Sequence, residues 1–244
     1  MKKIILIMAI CLLSIPVMAQ KLNLDSSTLE NFGANIVKEK IDTYDTVALG
    51  LWYLKRNYNS KWRRVQNDEF ELDDAKNWAF KQLIKKLDRV KPINKSAEYN
   101  LYLNIKFTKY DFKSEHFPVE ALSVDSYMSY SAKGEFVQKY ANSKLYFENI
   151  DESINFIPMK KGDAKNFIKS RKGKYGDIDR SIVAHYVYKI ISFEEDREFK
   201  SDGSPMTIKF TARLKSIEFM DKSKKTIYQK IDFDKNNTSS MKER

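Results

Sequence analysis

The spacing of apolar residues changes at Pro92, and that change decides the fold class. Before it, apolar side chains recur every three or four positions. Leu29, Phe32, Ile36, Val37 and Ile41 make one helical face. Val47, Leu51, Leu54 and Tyr58 make a second, opening after Asp45 with Leu49 and Trp52 beside it. Trp78, Leu83, Leu87 and Val90 make a third, which starts near Asp73-Asp74 and is stopped by Pro92. The first helix is expected to open at Ser27, because Ser27-Thr28-Leu29-Glu30 has the form of a capping box.

After Pro92 the period falls to two. From Glu98 to Phe112, the residues Tyr99, Leu101, Leu103, Ile105 and Phe107 alternate with more polar neighbours, as in a half-buried strand. Further strands are expected at Lys144–Ile150 and Ser153–Met159 around a turn at Asp151-Glu152, and at Ile182–Phe193. Met206–Met220 and Lys225–Phe233 read as a hairpin turning at Asp221–Lys224, and Asp163–Arg171 reads as a helix of one to two turns. Strands joined by short turns pair antiparallel, because parallel pairing needs a long crossover. The expected class is α+β, with two to three N-terminal helices packed on a mainly antiparallel β-sheet. One domain would span 20–235, its helical part 26–91 and its sheet part 97–234. A separate helical N-terminal domain is the alternative. The segment 120–142 is the hardest to read: its Ser/Tyr-rich piece 126–131 suits an edge strand or a long loop. The tail 236–244 lacks an apolar anchor and is expected to be disordered. Ile-Lys-Phe-Thr occurs at 105–108 and 208–211, but no fixed period accompanies it.

The first 19 residues have the layout of a secretory signal. Lys2 and Lys3 precede an apolar run from Ile4 to Leu13, Pro16 breaks it, and Val17 and Ala19 are small enough for the cleavage site. The run is too short to span about 30 Å of hydrocarbon. Cys11 lies inside the run with Ile10 before it, which does not suit lipidation. Cleavage before Gln20 would leave a mature chain without cysteine, and therefore without disulfides. It would also leave a net charge of +9, from 44 basic residues less Lys2 and Lys3 against 33 acidic ones. Such a surface favours anionic partners. The absence of bridges, together with a Lys/Asn/Ile-rich composition, fits a bacterial envelope, periplasmic or extracellular. No second apolar stretch suits a membrane span.

Residues that carry chemistry are scarce. Only His116 and His185 could serve as a general base near neutral pH. His185 falls mid-strand and reads as structural. Asp111, Glu115 and His116 could approach a metal only if their loop folded back, and the usual ligand spacings are missing, so no metal or other cofactor is expected. Gly173 and Gly176 match no phosphate-binding fingerprint. The acids Asp68, Glu69, Glu71, Asp73 and Asp74 read as the start of a helix, where they complement its dipole. Trp62-Arg63-Arg64 with Tyr58 could stack on a sugar, but Trp62 reads as core.

The segment from Lys160 to Arg180 is the most basic. Its candidate anion ligands are Lys169, Arg171, Lys172, Lys174 and Arg180, with Tyr175 among them. Arginine is the more telling member, because its planar fork grips oxyanions in a bidentate way. The competing reading is a solvated lysine-rich face that aids solubility.

Three stretches carry a likeness to other chains: Asn67 to Asp74, Lys109-Tyr110-Asp111-Phe112, and Tyr175 to Arg180. They resemble the recurring blocks of an uncharacterised family of exported bacterial proteins of the domain-of-unknown-function kind. The resemblance implies no activity. The resulting expectation is a non-enzymatic binding module for an envelope or extracellular protein, or for an anionic glycan. A glycan hydrolase built on a carboxylate pair is the alternative. Nucleic acid ranks last as a partner, since export separates the two and no recognition motif is present.

Overall fold

The computed structural model describes residues 21–120, 122, 126–130, 134–137, 143–150 and 154–233. The expected leader at 1–19, the tail at 236–244, the turn at Asp151-Glu152 and most of the segment 120–142 lie outside the described residues.

The chain is α+β. After a short strand β1 (Lys21–Asn23) come four helices before Pro92: α1 (Ser26–Glu39), α2 (Thr46–Asn57), α3 (Asn59–Val65) and α4 (Glu69–Asp88). The two to three helices expected there are therefore too few. The addition is α3, a short basic segment that buries only Val65 and has no side-chain cap, so it shows neither an apolar face nor a start signal.

Aspartates set the helix starts. Asp25 caps α1 by accepting from the Thr28 backbone N–H at 2.8 Å, so the cap sits two residues ahead of Ser27 and the expected capping box does not form. Asp45 caps α2 through the Val47 and Ala48 N–H groups, and Asp68 caps α4 through those of Phe70 and Glu71. The acidic cluster thus lies in and around the first turn of α4, which begins several residues earlier than expected.

The strands are β2 (Glu98–Lys106), β3 (His116–Pro118), β4 (Tyr127–Tyr130), β5 (Ser143–Phe147), β6 (Phe156–Pro158), β7 (Ser181–Arg197), β8 (Thr207–Met220) and β9 (Ile227–Asp232), with helix α5 (Lys161–Ser170) between β6 and β7. Seven of them form one sheet in the order β1-β2-β7-β8-β5-β4, with β9 also paired to β8. Most pairs are antiparallel, but β1 runs parallel to β2 and β5 parallel to β8, so the sheet is mixed. Both parallel pairs join strands separated by long intervening chain, the helical stretch in one case and α5 with β7 in the other. That supplies the crossover parallel pairing requires. The two strands expected at 144–159 do not pair with each other. β5 lies between β4 and β8, whereas β6 joins β3 in a separate two-stranded sheet.

β7 and β8 form the spine. Their ladder carries register shifts near Val187/Tyr188, Ile190/Ser192 and Glu195/Arg197. Each bulge inserts a residue and changes which parity faces inward. Tyr186 and Tyr188 are fully buried, and beyond the shift at Ile190 the inward position passes to Phe193. There Phe193 meets Phe32 of α1 at 4.9 Å between ring centroids, and Phe210 of β8 meets the same ring at 5.0 Å. These edge-to-face contacts bind α1 to the sheet. The other helices pack closely on each other: a Cβ at Gly50 of α2 would lie 2.4 Å from the Lys76 carbonyl oxygen of α4. No helix among the described residues is long and apolar enough to cross a membrane.

Candidate anion-binding site at helix α5

Helix α5 is amphipathic. Ala164 is buried, and Phe167 and Ile168 are partly buried against the core. Phe167 packs on Phe107, Phe117 and Tyr228 at centroid distances of 5.1, 5.3 and 5.0 Å. Lys161, Lys165 and Lys169 are spaced at i, i+4 and i+8 and are exposed, so they line one side of the helix.

The five cations selected from the sequence divide into two groups. Arg171 points inward. Its Nη1 donates to the Ser181 carbonyl at 2.9 Å and the Asp179 carbonyl at 3.3 Å, and its Nη2 donates to the Tyr228 hydroxyl at 2.8 Å. The guanidinium lies 4.5 Å from the Phe167 ring centroid. Arg180 donates to the Thr108 carbonyl at 2.6 Å and lies over Phe107. Both arginines therefore hold the loop 171–180 against the core, their forks engaged with backbone carbonyls or aromatic faces. Lys169, Lys172 and Lys174 are exposed.

The loop itself is shaped by its acids and glycines. Gly176 adopts φ +91, a left-handed conformation that glycine accepts freely. The Gly173 N–H donates to the Asp177 carbonyl at 2.7 Å. The Lys222 ammonium, followed by the Ser181 N–H, holds the Asp179 carboxyl down at about 2. Tyr175 stands at the tip, 90% exposed, with the Lys174 ammonium 5.7 Å from its ring centroid.

Beside α5 lies a cleft of about 290 Å³. Phe117 and Ala164 form its floor, Tyr110, Phe112 and Ile168 its walls, and Lys161 and Lys165 its rim. The Tyr110 hydroxyl donates to the Met159 carbonyl at 2.7 Å. Loss of hydration first, then the carboxylates of Glu115 and Asp111, raise that phenol above its usual range and keep it a donor. Tyr110 and Phe112 meet edge to face at 5.1 Å, and Phe112 remains 72% exposed. Sequence reasoning missed these aromatics. They lie about fifty residues before α5. The sequence places them at the end of a strand expected to run to Phe112, whereas the strand ends at Lys106, and it marks Lys109-Tyr110-Asp111-Phe112 as a family-like block without a role.

The other candidate groups sit in structural contacts. Asp111 accepts from the Lys113 and Ser114 N–H groups, which hold its carboxyl below the usual range, and Glu115 has φ 49. That geometry makes 111–116 a tight turn. No group of three or more His, Cys, Asp or Glu among the described residues is placed to hold a metal ion.

His185 stacks on Tyr102 at 4.3 Å, with its Nδ1 3.2 Å from Glu218 and its Nε2 2.8 Å from Asn100. Burial tends to raise the Glu218 carboxyl, but hydrogen bonds from Lys230 and His185 outweigh it and leave it lowered. Among the better-buried acids, Glu135 is bound by Lys86 and Asn57, and Glu195 by Lys40 and the Phe199 N–H. Trp62 is partly buried with the Lys55 ammonium over its ring, and Tyr58 packs on Trp78.

Residues 45–170 match a family model described as a domain of unknown function (DUF4852). The matched span runs from the cap of α2 to the last residue of α5, just over half of the chain, and it includes the cleft and the lysine row. Two of the three sequence blocks noted above, 67–74 and 109–112, fall inside it, and the block 175–180 falls outside. No curated protein and no solved structure matches the chain. The chain belongs to the DUF4852 family, a family of unknown function.

Proposed function

We propose that this is an exported, non-enzymatic binding module of a bacterial envelope, and that it holds an anionic glycan on the lysine face of α5 and the loop after it. The observation that carries the reading is the division of labour among the cations. Arg171 and Arg180 anchor the loop, and Lys169, Lys172 and Lys174 are left exposed beside an open aromatic, Tyr175. Lysines in water offer long-range attraction to sulfate, phosphate or carboxylate groups, and an exposed tyrosine face suits stacking on a sugar ring. The leader at 1–19 supports export, and the charge of +9 after its removal supports an anionic partner. The hydrolase reading has less support, because the buried carboxylates Glu135 and Glu195 are tied into ion pairs with Lys86 and Lys40.

The test is retention on a sulfated polysaccharide column under a salt gradient. Lys169→Glu/Lys172→Glu/Lys174→Glu is expected to elute at clearly lower salt than the parent. A control that reverses three exposed lysines on α2 and α4, Lys55, Lys81 and Lys85, is expected to shift much less. Equal shifts in the two variants would reduce the effect to net charge and contradict the reading.

A further inference from the structure

The cleft beside α5 has a chemistry of its own. Its floor and walls are apolar, and its rim carries two cations. Among the described residues neither Lys161 nor Lys165 is ion-paired with a carboxylate; the Lys161 ammonium lies 5.8 Å from the Phe112 ring centroid instead. Asp111, in the turn beside the cleft, is engaged by that turn. The N-cap of α5, Lys160, contributes no side-chain hydrogen bond, and a Cβ at Gly162 would meet nothing within 4 Å. Asp163 in the first turn complements the positive end of the helix, so the cations available at the rim are the two lysines. A volume of about 290 Å³ holds roughly ten water-sized groups at about 30 Å³ each.

We propose that this cleft binds a single-chain carboxylate amphiphile of the fatty-acid type, its chain lying on Phe117 and Ala164 and its carboxylate between Lys161 and Lys165. The inference rests on the reading of α5 as an anion-facing helix and names what the cleft beside that helix takes. A neutral chain would make no use of the two ammonium groups on the rim. A small inorganic anion would leave the apolar walls facing water. Only a ligand with both parts satisfies both.

Titration calorimetry of the full-length exported protein with hexanoate, octanoate, decanoate and dodecanoate, each below its micelle concentration, tests this. Affinity is expected to tighten by roughly fourfold per methylene and to level off near ten carbons, where the cleft is full. Lys161→Gln/Lys165→Gln is expected to weaken decanoate at least tenfold while keeping the chain-length trend. Phe112→Ser is expected to flatten the trend, and its 72% exposure makes the substitution tolerable to the fold. Three results would overturn the proposal: no heat with decanoate, an affinity independent of chain length, or capture by anionic phospholipid vesicles with free decanoate inert. Failure here is separable from failure of the glycan reading. Polysaccharide retention that depends on Lys169, Lys172 and Lys174, with decanoate inert, removes this inference alone. Decanoate binding through Lys161 and Lys165, with retention unchanged in the triple variant, removes the glycan reading alone.

Discussion

Arg171 and Lys169 stand two residues apart in a basic run, yet their substitutions should read very differently. Arg171 satisfies two backbone carbonyls and the Tyr228 hydroxyl from a part-buried position, and it stacks on Phe167. Removing it leaves those acceptors without their donor. Arg171→Ala is expected to lower the unfolding free energy by about 2–4 kcal/mol, the range for a few charge-assisted hydrogen bonds. Lys cannot reproduce the planar fork, so Arg171→Lys should recover little of it. Lys169→Ala should stay within about 0.5 kcal/mol, as for other exposed positions. Urea midpoints at an unchanged slope measure both. An Arg171→Ala midpoint equal to the parent's would contradict the inward assignment. The sequence marked Arg171 as important through its residue type, but the reason it gave was an oxyanion. Backbone carbonyls of a loop and a tyrosine on β9 are equally good acceptors, and only the fold shows which of them the guanidinium meets.

At the scale of elements, α5 is held by its apolar face rather than by its intrinsic propensity. Gly162 sits in its first turn with open space around it and without a positive φ. Gly162→Ala is expected to stabilise the protein by about 0.5–1 kcal/mol by restricting the unfolded chain, and a thermal melt checks it. A lower melting temperature would show that α5 is distorted at that point. Elsewhere the legibility of elements follows their physics. α2 declares itself through its aspartate cap and apolar face, and β8 through its alternation; α4 shows its apolar face, but its cap is Asp68 and not the expected Asp73-Asp74. α3 carries neither signal. Asp25 displaced Ser27 as the cap of α1. Glu30, which the capping box required to turn back, instead accepts from the N–H groups of Glu135, Phe136 and Val137. A contact more than a hundred residues away leaves no mark in local spacing. The same holds for the parallel pairing of β5 with β8, which depends on a crossover and not on either strand's own residues.

At the scale of the whole molecule, the site is assembled from parts that the sequence keeps separate. Tyr110 and Phe112 follow β2, Phe117 lies in β3, the lysines belong to α5, and Tyr228 comes from β9. The aromatic cluster of Phe107, Phe117, Phe167 and Tyr228 welds these pieces to the sheet. That packing fixes where the lysine row of α5 emerges. His185, with Tyr102 and Glu218, sits across β7, β2 and β8, and its ring nitrogens face Asn100 and Glu218. The most direct measurement follows the backbone amide resonances of isotope-labelled protein while a sulfated oligosaccharide is added. The changes are expected to concentrate on residues 161–175. Changes centred on the strands around His185 and Tyr102, with α5 unmoved, would contradict the account.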